Sequence, residues 1–422
     1  TMEVTRAKPH APRPSASVML RRGDEILVCH RVSTVPSFPD YWAFPGGGVS
    51  RADRAALDEH PEWFANRDQD ERAALVALMR EMIEEVGIVP GPNGLEQIDV
   101  ENRMQILQDK TAWHRLVDSG EISIEDEGFV VISERTTPPL APLRFRNHFF
   151  TVECNVEPIL HSDERPEFDE YRWATPRTLL DEWMANEIRL PPPLVMILRE
   201  LLEDTIENSI ARMSSTPPRK NTRIEFGPGV ECLPLPTDTL PPSTHTNCYV
   251  LGLPGGDRVI IDPAAKCVDG LTQLQEKVDS ILKEGSTIVG TIFTHRHQDH
   301  IGDLEAISQL YTAPIWGSRE TLDSIIIEGE TRLLQDGDLF NLDGVIWNVI
   351  ETPGHCPGQL AFVSEAGIVS ADNVAQVGTI LVPSGEGDMT AYIRDLKRLR
   401  DCKPRLLFPG HGPVVTNPEK LL

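Results

Sequence analysis

The 422-residue chain lacks any run of eighteen uncharged apolar residues, and no apolar segment near its start resembles a secretory signal. We therefore expect neither a membrane-spanning helix nor a membrane partner. Its seven cysteines form no CxxC pair and follow no regular spacing, so reduced, packed thiols are expected rather than disulfides or zinc ligands. The expected location is the cytoplasm. The basic opening RAKPHAPRPSAS is faintly similar to a transit peptide and gives mitochondria as the alternative.

Positive charge is also scarce. The chain has 40 Lys and Arg against 65 Asp and Glu, a formal net charge of -25. Such a field repels polyanions, so non-specific binding to nucleic acid is not expected. The one dense basic run, RDLKRLRDCKPR (394–405), is most simply the solvated face of a helix, and only secondarily a patch that contacts anions.

The length exceeds what one hydrophobic core usually serves, so two domains are expected. The text ENSIARMSSTPPRKNTR (207–223) loses its apolar periodicity and gains Ser, Pro and Lys, as interdomain linkers do. The predicted organisation is a flexible tail over 1–14, a first domain over 15–212, a linker over 213–223 and a second domain over 224–422.

Apolar patterns predict an α+β fold in both domains. In the first domain, strands are expected over 25–32 and 147–156, with helices over 72–86 and 176–186. In the second domain strands and helices alternate, which indicates layered sheets covered by helices. Its predicted strands cover 247–253, 258–262, 287–294, 344–351, 359–363 and 367–371, and its helices cover 271–284 and 304–311.

The segment REMIEEVGI (80–88) places Glu81, Glu84 and Glu85 at helical spacings that share one face. Such crowding of like charge is unfavourable unless a cation neutralises it, and oxygen ligands select Mg²⁺ or Mn²⁺. The alternative is an ordinary exposed acidic face. The neighbouring FPGGGV (44–49), Arg80 directly before the first Glu and Gly87 at the helix end favour the cation site.

This combination resembles the Nudix hydrolases, whose box reads G-x5-E-x7-R-E-U-x-E-E-x-G-U, with U apolar. The second half matches from Arg80 to Ile88. Arg80 lies 33 positions after Gly47 where the box has 14, so 19 residues are inserted. Counted back from Arg80, the first Glu of the box falls on Arg72, and Glu71 is the candidate substitute.

The resemblance covers about residues 15–205 and implies an α/β/α sandwich in which a metal-activated water attacks a diphosphate linkage. Glu81, Glu84 and Glu85 would be metal ligands, and Glu84 and Glu85 would act in catalysis. Interrupted boxes occur in the branch that cleaves coenzyme A and its esters, so the expected substrate is an acyl-CoA or another nucleoside diphosphate derivative. The alternative is a non-catalytic binding or dimerisation module.

The second domain carries THRHQDH (294–300) directly after an apolar strand, where active sites of layered folds tend to lie. Three more candidates follow on later loops: His355, Asp372 and His411. Together they supply five histidines and two aspartates, enough for two metals that share one carboxylate. Imidazole-rich ligation suits Zn²⁺ best, with Fe and Mn as alternatives. One such histidine alone would more often be a capping or core residue.

This pattern resembles the metallo-β-lactamase superfamily, whose signature is H-x-H-x-D-H, over about residues 225–422. The resemblance implies a four-layered αββα sandwich and two zinc ions, with Asp372 as the bridging ligand and Asp299 as the candidate catalytic residue. The implied ligands of the first zinc are His295, His297 and His355, and those of the second are Asp299, His300 and His411.

Two metals about 3.5–4 Å apart lower the pKa of a shared water and supply a hydroxide nucleophile. Asp299 beside His300 is similar to glyoxalase II, to lactamase-like endoribonucleases and to thioesterases. We therefore expect a two-domain hydrolase of acyl-CoA, with weak β-lactamase activity as an expected side reaction. The alternative is a zinc-dependent endoribonuclease with RNA as its partner. The sequence leaves the oligomeric state open.

Overall fold

The computed structural model describes residues 10–124, 128–160, 166–326 and 329–422. The chain divides into two compact units. The first unit comprises Ala11–Thr137 and Leu143–Asn221, and the second comprises Thr222–Leu422 together with Pro138–Pro142. None of the helices that the structure describes is long and apolar enough to cross a membrane.

The first unit is built on a mixed sheet flanked by helices. Its strands are β1 (Arg13–Arg22), β2 (Glu25–Arg31), β3 (Trp42–Ala43), β4 (Gly46–Gly48), β5 (Ile88–Gly91), β6 (Gly94–Gln97), β7 (Val130–Thr136), β8 (Phe145–Glu153) and β9 (Phe168–Ala174). Its helices are α1 (Arg51–Glu59), α2 (Gln69–Glu81), α3 (Val100–Gln108), α4 (Trp113–Asp118), α5 (Pro176–Met184), α6 (Pro192–Leu201) and α7 (Ile206–Ser215).

The main sheet of this unit has the order β3-β2-β1-β8-β7, with β4 paired to β1 and β9 to β2. Side chains alternate between its two faces, as they do along any strand. Ala16, Val18 and Leu20 of β1 pack in the cluster that contains α2, whereas Met19 packs in the cluster that contains α5 and α6. Helices therefore cover both faces, which is the predicted α/β/α sandwich.

The predicted helix over 72–86 is present, but its last turn is not α-helical. The α-helical part ends at Glu81, and Met82–Val86 forms a π-helical turn that Gly87 ends in the left-handed conformation, with φ of 65°. The guanidinium of Arg103 donates a hydrogen bond of 2.8 Å to the carbonyl of Glu84 within this turn. The wider turn changes where Glu84 and Glu85 point, and such turns are frequent at functional sites.

The second unit contains two sheets. Its strands are β10 (Glu225–Gly227), β11 (Val230–Pro236), β12 (His245–Leu251), β13 (Asp257–Ile261), β14 (Thr287–Ile292), β15 (Ile315–Gly317), β16 (Thr331–Leu333), β17 (Leu339–Leu342), β18 (Val345–Glu351), β19 (Leu360–Ser364), β20 (Gly367–Ala371) and β21 (Leu407–Pro409). Its helices are α8 (Val268–Lys283), α9 (Gln298–Ile301), α10 (Leu304–Ser308), α11 (Arg319–Ser324) and α12 (Met389–Asp401).

These elements form four layers. One sheet has the order β10 to β16 and the other the order β17 to β21. Tyr249 and Leu251 of β12 face the core between the two sheets, whereas Cys248 and Val250 of the same strand face α8. Leu399 of α12 covers the outer face of the second sheet. The layers are therefore those of the predicted αββα sandwich.

Several details differ from the predicted limits. β1 begins at Arg13, within the predicted tail, because Arg13 is already in register with Phe145 of β8. α7 continues to Ser215, within the predicted linker, and the carbonyl of Pro218 accepts a hydrogen bond of 2.8 Å from the backbone of β7. Residues 1–9 of the predicted tail lie outside the described residues. All seven cysteines are free thiols, and five of them are buried.

Candidate metal centres

The candidate ligands of the second unit follow the carboxyl ends of four strands. His295 lies just beyond β14, His355 beyond β18, Asp372 directly after β20 and His411 just beyond β21. β18 and β20 both run antiparallel to β19, and β20 runs parallel to β21, so these three strands end at the same edge of their sheet. The topology therefore gathers side chains that are far apart in the sequence.

The seven side chains form contiguous groups. His295, His297 and His355 make one group and Asp299, His300 and His411 another, with the ligand atoms of each group within 4.8 Å of one another. These groups coincide with the two ligand sets that the resemblance implies. A third group joins them through Asp372, whose carboxylate lies 3.4 Å from Nε2 of His300 and 3.6 Å from Nε2 of His355.

Partners at the far ring nitrogen fix the orientation of three histidines. Nδ1 of His355 donates to the carbonyl of Leu381 at 2.6 Å, and Nδ1 of His411 donates to the carbonyl of His245 at 3.0 Å. Nδ1 of His300 lies 2.8 Å from the Asp262 carboxylate. A neutral ring that donates through Nδ1 has its lone pair at Nε2, so these three Nε2 atoms can act as ligands once a metal displaces any proton on them.

The same reasoning applies to His295 and His297. The hydroxyl of Thr294 donates to Asp262 at 2.7 Å and therefore accepts from Nδ1 of His295 at 2.9 Å. Nε2 of His297 faces the carboxylate of Glu386 at 3.5 Å, which directs its Nδ1 into the cluster. That Nδ1 lies 3.0 Å from Nε2 of His295 and 3.1 Å from Nε2 of His355. Three lone pairs that meet in this way repel one another unless a cation lies between them.

The donor set fits a pair of zinc ions. It combines five imidazoles with two carboxylates, the ligand types that Zn²⁺ prefers. Oδ1 of Asp372 is buried and has no hydrogen-bond partner among the described residues. Gly410 borders the same atom, because a Cβ at this position would lie 2.3 Å from Oδ1 of Asp372. The chain therefore holds an unsatisfied carboxylate oxygen where a bridging ligand is expected.

The electrostatics of the cluster favour positive charge. Burial disfavours the charged form of His300, but Asp372 and Asp262 outweigh it and raise its pKa well above the usual value. Burial likewise opposes charge on His411, yet Asp372 and Asp299 raise its pKa to about 9. Burial and the neighbouring His300 lower the pKa of His295. Without metal, the site thus holds protons at the positions where cations are expected.

A pocket of about 630 Å³ opens onto this cluster, and its walls are largely apolar. Leu240 and Pro242 contribute from one loop, and Ile380 and Leu381 from another. Lys266 is the one lysine or arginine among the described residues that line it, and it is exposed. The candidate ligands that reach the pocket form its floor. They are His297, Asp299, His355, Asp372 and His411.

In the first unit, Arg80 organises the glutamates that follow it. Its buried guanidinium pairs with Asp53 through two contacts of 3.0 Å, and with Glu81 at 2.8 Å and Glu84 at 3.2 Å. Asp53 lies six positions after Gly47, at the place of the first Glu of the box. The sequence-based choice of Glu71 is wrong, because its carboxylate pairs with Arg67 at 3.6 Å instead.

The three glutamates lie under the glycine loop. The backbone N–H of Gly46 donates to Glu85 at 2.7 Å, and a Cβ on Gly47 would lie 2.2 Å from Oε1 of Glu81. Oε1 of Glu84 and Oε1 of Glu85 are buried without a hydrogen-bond partner among the described residues. These unsatisfied oxygens fit a Mg²⁺ or Mn²⁺ site, although the glutamates do not form one of the groups whose ligand atoms all lie within 4.8 Å.

Burial sets the charge of these glutamates. Desolvation, opposed by Arg80 and reinforced by Glu84, raises the pKa of Glu81 to about 7. Desolvation and then Glu81 raise the pKa of Glu85 well above its usual value. Two carboxylates of this group are therefore readily protonated in the metal-free chain, and a divalent cation would replace those protons.

Sequence reasoning missed three supporting residues. Asp53 was detectable, because counting forward from Gly47 reaches it, whereas counting back from Arg80 reaches Arg72. Asp262 ends a predicted strand but belongs to no motif of the candidate ligands. Glu386 lies 89 positions after His297 on a loop without a motif, so only the fold brings the two together.

Comparisons with known proteins agree with both halves. The family model "NUDIX domain" matches residues 11–191, and the family model "Metallo-beta-lactamase superfamily" matches residues 242–411. The chain therefore combines a NUDIX domain with a metallo-beta-lactamase domain. These two families generally bind divalent metals.

Curated relatives cover part of the chain. An "Atrochrysone carboxyl ACP thioesterase" of Aspergillus fumigatus is 26% identical over 178 residues, which is 42% of this chain and 53% of the relative. A "Beta-lactamase-like protein 2 homolog" of Drosophila melanogaster is 26% identical over 183 residues, 41% of this chain and 60% of the relative. The chain thus spans about half the length of the curated relatives it matches.

Two solved structures are also similar to parts of the chain. A NUDIX hydrolase from Alicyclobacillus acidocaldarius is 22% identical with a TM-score of 0.41, over 52% of this chain and 99% of that structure. A metallo-beta-lactamase family protein from Thermus thermophilus is 19% identical with a TM-score of 0.40, over 47% of this chain and 78% of that structure.

Proposed function

We propose that the chain is a bifunctional hydrolase of acyl-CoA thioesters. The metallo-beta-lactamase domain would cleave the thioester at two zinc ions, and the NUDIX domain would cleave the diphosphate with Mg²⁺ or Mn²⁺. The observation that carries the proposal is the convergence of five imidazoles and two carboxylates in one cluster at the base of the pocket, with the far nitrogen of each ring held by a partner.

The ligand roles in this proposal are those of the resemblance. His295, His297 and His355 would hold one zinc, Asp299, His300 and His411 the other, and Asp372 would bridge them. When bound, such a pair supplies a hydroxide nucleophile and polarises the substrate carbonyl. The chain contributes the fixed ring orientations, the buried carboxylates that offset the charge, and a partly apolar pocket that excludes water from the acyl side.

The pocket supports a thioester over a polyanion. Leu240, Pro242, Ile380 and Leu381 offer an apolar wall of the kind that accommodates an acyl chain. Lys266 at its rim is suited to one anionic group, whereas a groove for RNA normally carries many basic side chains. The relatives named as thioesterases add independent support for this reaction class.

In the NUDIX domain, Glu81, Glu84 and Glu85 would hold the metal beside the glycine loop. Asp53 fixes Arg80, and Arg80 in turn holds Glu81 and Glu84 in place. Asp53 therefore takes the place of the first Glu of the box, with a shorter side chain of the same charge. This arrangement favours a catalytic domain over a purely structural module.

The test uses the full-length chain, supplied with Zn²⁺ and Mg²⁺ and incubated with a medium-chain acyl-CoA. Free thiol and 3′,5′-ADP are followed by mass spectrometry. His297→Ala should abolish thiol release and retain 3′,5′-ADP formation, whereas Glu84→Gln should do the reverse. His30→Gln, which alters a histidine paired with Asp169 elsewhere in the first unit, should retain both products.

Absence of both products would overturn the whole proposal. Thiol release without 3′,5′-ADP would leave the NUDIX domain as a binding or dimerisation module. Cleavage of single-stranded RNA that disappears in His297→Ala but survives in Glu84→Ala would replace the thioester reaction with the nuclease alternative.

A further inference from the structure

A second group of metal-ligating side chains lies in the first unit, away from the glutamates of the box. Glu59, His60 and His114 each offer one ligand atom, and these atoms lie within 4.8 Å of one another. Glu59 is the last residue of α1, His60 follows it directly, and His114 belongs to α4. Glu59 and His60 lie in the segment that interrupts the box, between Asp53 and Arg80.

From this group we infer a third metal site, which takes a transition-metal ion of the zinc class and ties the end of α1 to α4. Two imidazoles and one carboxylate are a ligand set that Zn²⁺ and its neighbours accept, with a position left for water. Neither family resemblance assigns a role to these residues, and the inference does not depend on the proposed function.

Aromatic packing holds both imidazoles in place before any ion binds. The ring of His60 stacks on Trp63 with centroids 4.1 Å apart and planes 6° apart. The ring of His114 stands edge-on to Trp63 at 5.2 Å and to Trp113 at 4.7 Å. Both tryptophans are buried, so their positions are fixed by the core. Ligands that are already ordered lose little entropy when they bind a metal.

The imidazole of His114 is available as a ligand. Neither of its ring nitrogens has a hydrogen-bond partner in the part of the chain that the structure describes. A neutral ring presents the lone pair that a metal requires.

The surrounding charge favours a cation. α1 has no basic residue in its last turn, so the partial negative charge at its carboxyl end is not offset there. Glu62 adds a carboxylate oxygen 3.6 Å from Nδ1 of His60. A tetrahedral zinc site needs ligand atoms about 3.4 Å apart. The exposed side chain of Glu59 can turn to close the remaining gap.

The packing supplies a direct optical test, because a paramagnetic ion beside His60 quenches the fluorescence of Trp63 and Trp113. The full-length chain is first given Mg²⁺ and two equivalents of Zn²⁺, which is enough for the C-terminal cluster alone, and Ni²⁺ is then titrated. We expect a saturable loss of part of the emission at one added equivalent, since two of the seven tryptophans lie beside the site.

Two variants keep the aromatic packing and remove a ligand: His60→Phe and His114→Phe. Each should weaken the saturable quenching at least tenfold. His30→Phe is the matched control, because His30 also lies beside a tryptophan, at 5.2 Å from Trp42, and beside a carboxylate, but belongs to no such group among the described residues. Ni²⁺ should quench the fluorescence of this control variant as strongly as that of the unaltered chain.

Quenching that is absent, that does not saturate or that is unchanged in both variants would overturn the inference. If the phenylalanine variants unfold, Glu59→Gln replaces them, because Glu59 is exposed at a helix end and its loss should spare the fold. Equilibrium dialysis independently measures how many zinc ions each chain binds. This number should be lower by one in Glu59→Gln than in the unaltered chain, and equal numbers would mean that no third site exists.

Discussion

At the scale of single residues, ring orientation in the C-terminal cluster depends on partners outside the histidine motif. Glu386 is the clearest case, since its Oε2 faces Nε2 of His297 while its Oε1 binds Arg296 at 2.7 Å. This contact turns Nδ1 of His297 towards His295 and His355. Glu386 is therefore a positioning residue that acts through His297.

We predict that Glu386→Ala weakens zinc binding by about 10- to 100-fold, the usual effect of removing such a partner. Chelator competition measures the affinity, and the thioester reaction should weaken in parallel. Glu386→Gln keeps one acceptor oxygen and should lose less. Equal zinc affinity in the unaltered chain and in Glu386→Ala would show that the contact does not orient His297.

The raised pKa of Glu81 predicts that Mg²⁺ binding depends on pH. Its pKa is raised from 4.5 to about 7 in the metal-free fold, so a proton competes with Mg²⁺ below that value. The apparent affinity for Mg²⁺ should therefore fall about tenfold between pH 8 and pH 6. Titration calorimetry measures it, and Glu81→Gln should bind Mg²⁺ weakly and with a smaller dependence on pH.

The protonation of Glu81 affects the stability of the metal-free fold in the opposite direction: it weakens Mg²⁺ binding but stabilises the fold. Without metal, the raised pKa means that the folded chain binds this proton more tightly than the unfolded chain. The stability that Glu81 contributes is present below about pH 4.5 and is lost as the pH rises through about 7. Thermal unfolding in a chelator should show a larger loss from pH 5 to pH 8 for the unaltered chain than for Glu81→Gln. An equal loss would contradict the assignment.

At the scale of elements, β4 and the π-helical turn meet at the NUDIX site. We predict that Gly47→Ala lowers the Mg²⁺-dependent cleavage more than tenfold, because its Cβ would meet the carboxylate of Glu81 at 2.2 Å. Gly48→Ala is the control, since its Cβ meets nothing within 4 Å. The 3′,5′-ADP assay compares them. Equal activities would mean that Glu81 can move aside without loss.

A buried ionic network joins β11, β13 and α8 in the second unit. Glu231 contacts Arg258, which is fully buried, and Lys277, at 2.8 Å. Although burial opposes its charge, Lys277, Arg223 and Arg258 lower the pKa of Glu231 to about 2. The stability it contributes is therefore present above about pH 4.5 and is lost as the pH falls through about 2.

We predict that Glu231→Gln destabilises the fold by about 3 kcal/mol, because it leaves buried cations without their anion. Urea unfolding at pH 7 measures the change. Asp401→Asn, which removes an exposed partner of Arg400, should change the free energy of unfolding by less than about 0.5 kcal/mol. Similar effects of both substitutions would rule out the buried network as a source of stability.

Some helices and strands could be predicted from the local sequence pattern, and others could not. Strands such as β13 and β20 and helices such as α5 follow from apolar periodicity and turn residues, which are local properties. The π-helical turn at Met82–Val86 could not be predicted in this way, because it depends on Arg103 from α3 binding the carbonyl of Glu84. Long-range contacts of this kind override local propensity.

At the scale of the whole molecule, both domains were predictable because each carries a spaced motif. The candidate ligands were identified from residue types and order, whereas Asp262 and Glu386 depend on how loops from distant strands meet. Asp53 was missed for another reason, since the insertion was placed on the wrong side of it. Motifs therefore pointed to the candidate ligands but not to the residues that orient them.

The central claim is that the second unit binds two metals within one cluster. An anomalous difference map at the zinc edge, from crystals of the full chain grown with Zn²⁺, tests it most directly. We predict two peaks about 3.5–4 Å apart, with Asp372 between them, as in other two-metal sites. A single peak, or none, among His295, His297, His355, Asp299, His300 and His411 would contradict the account.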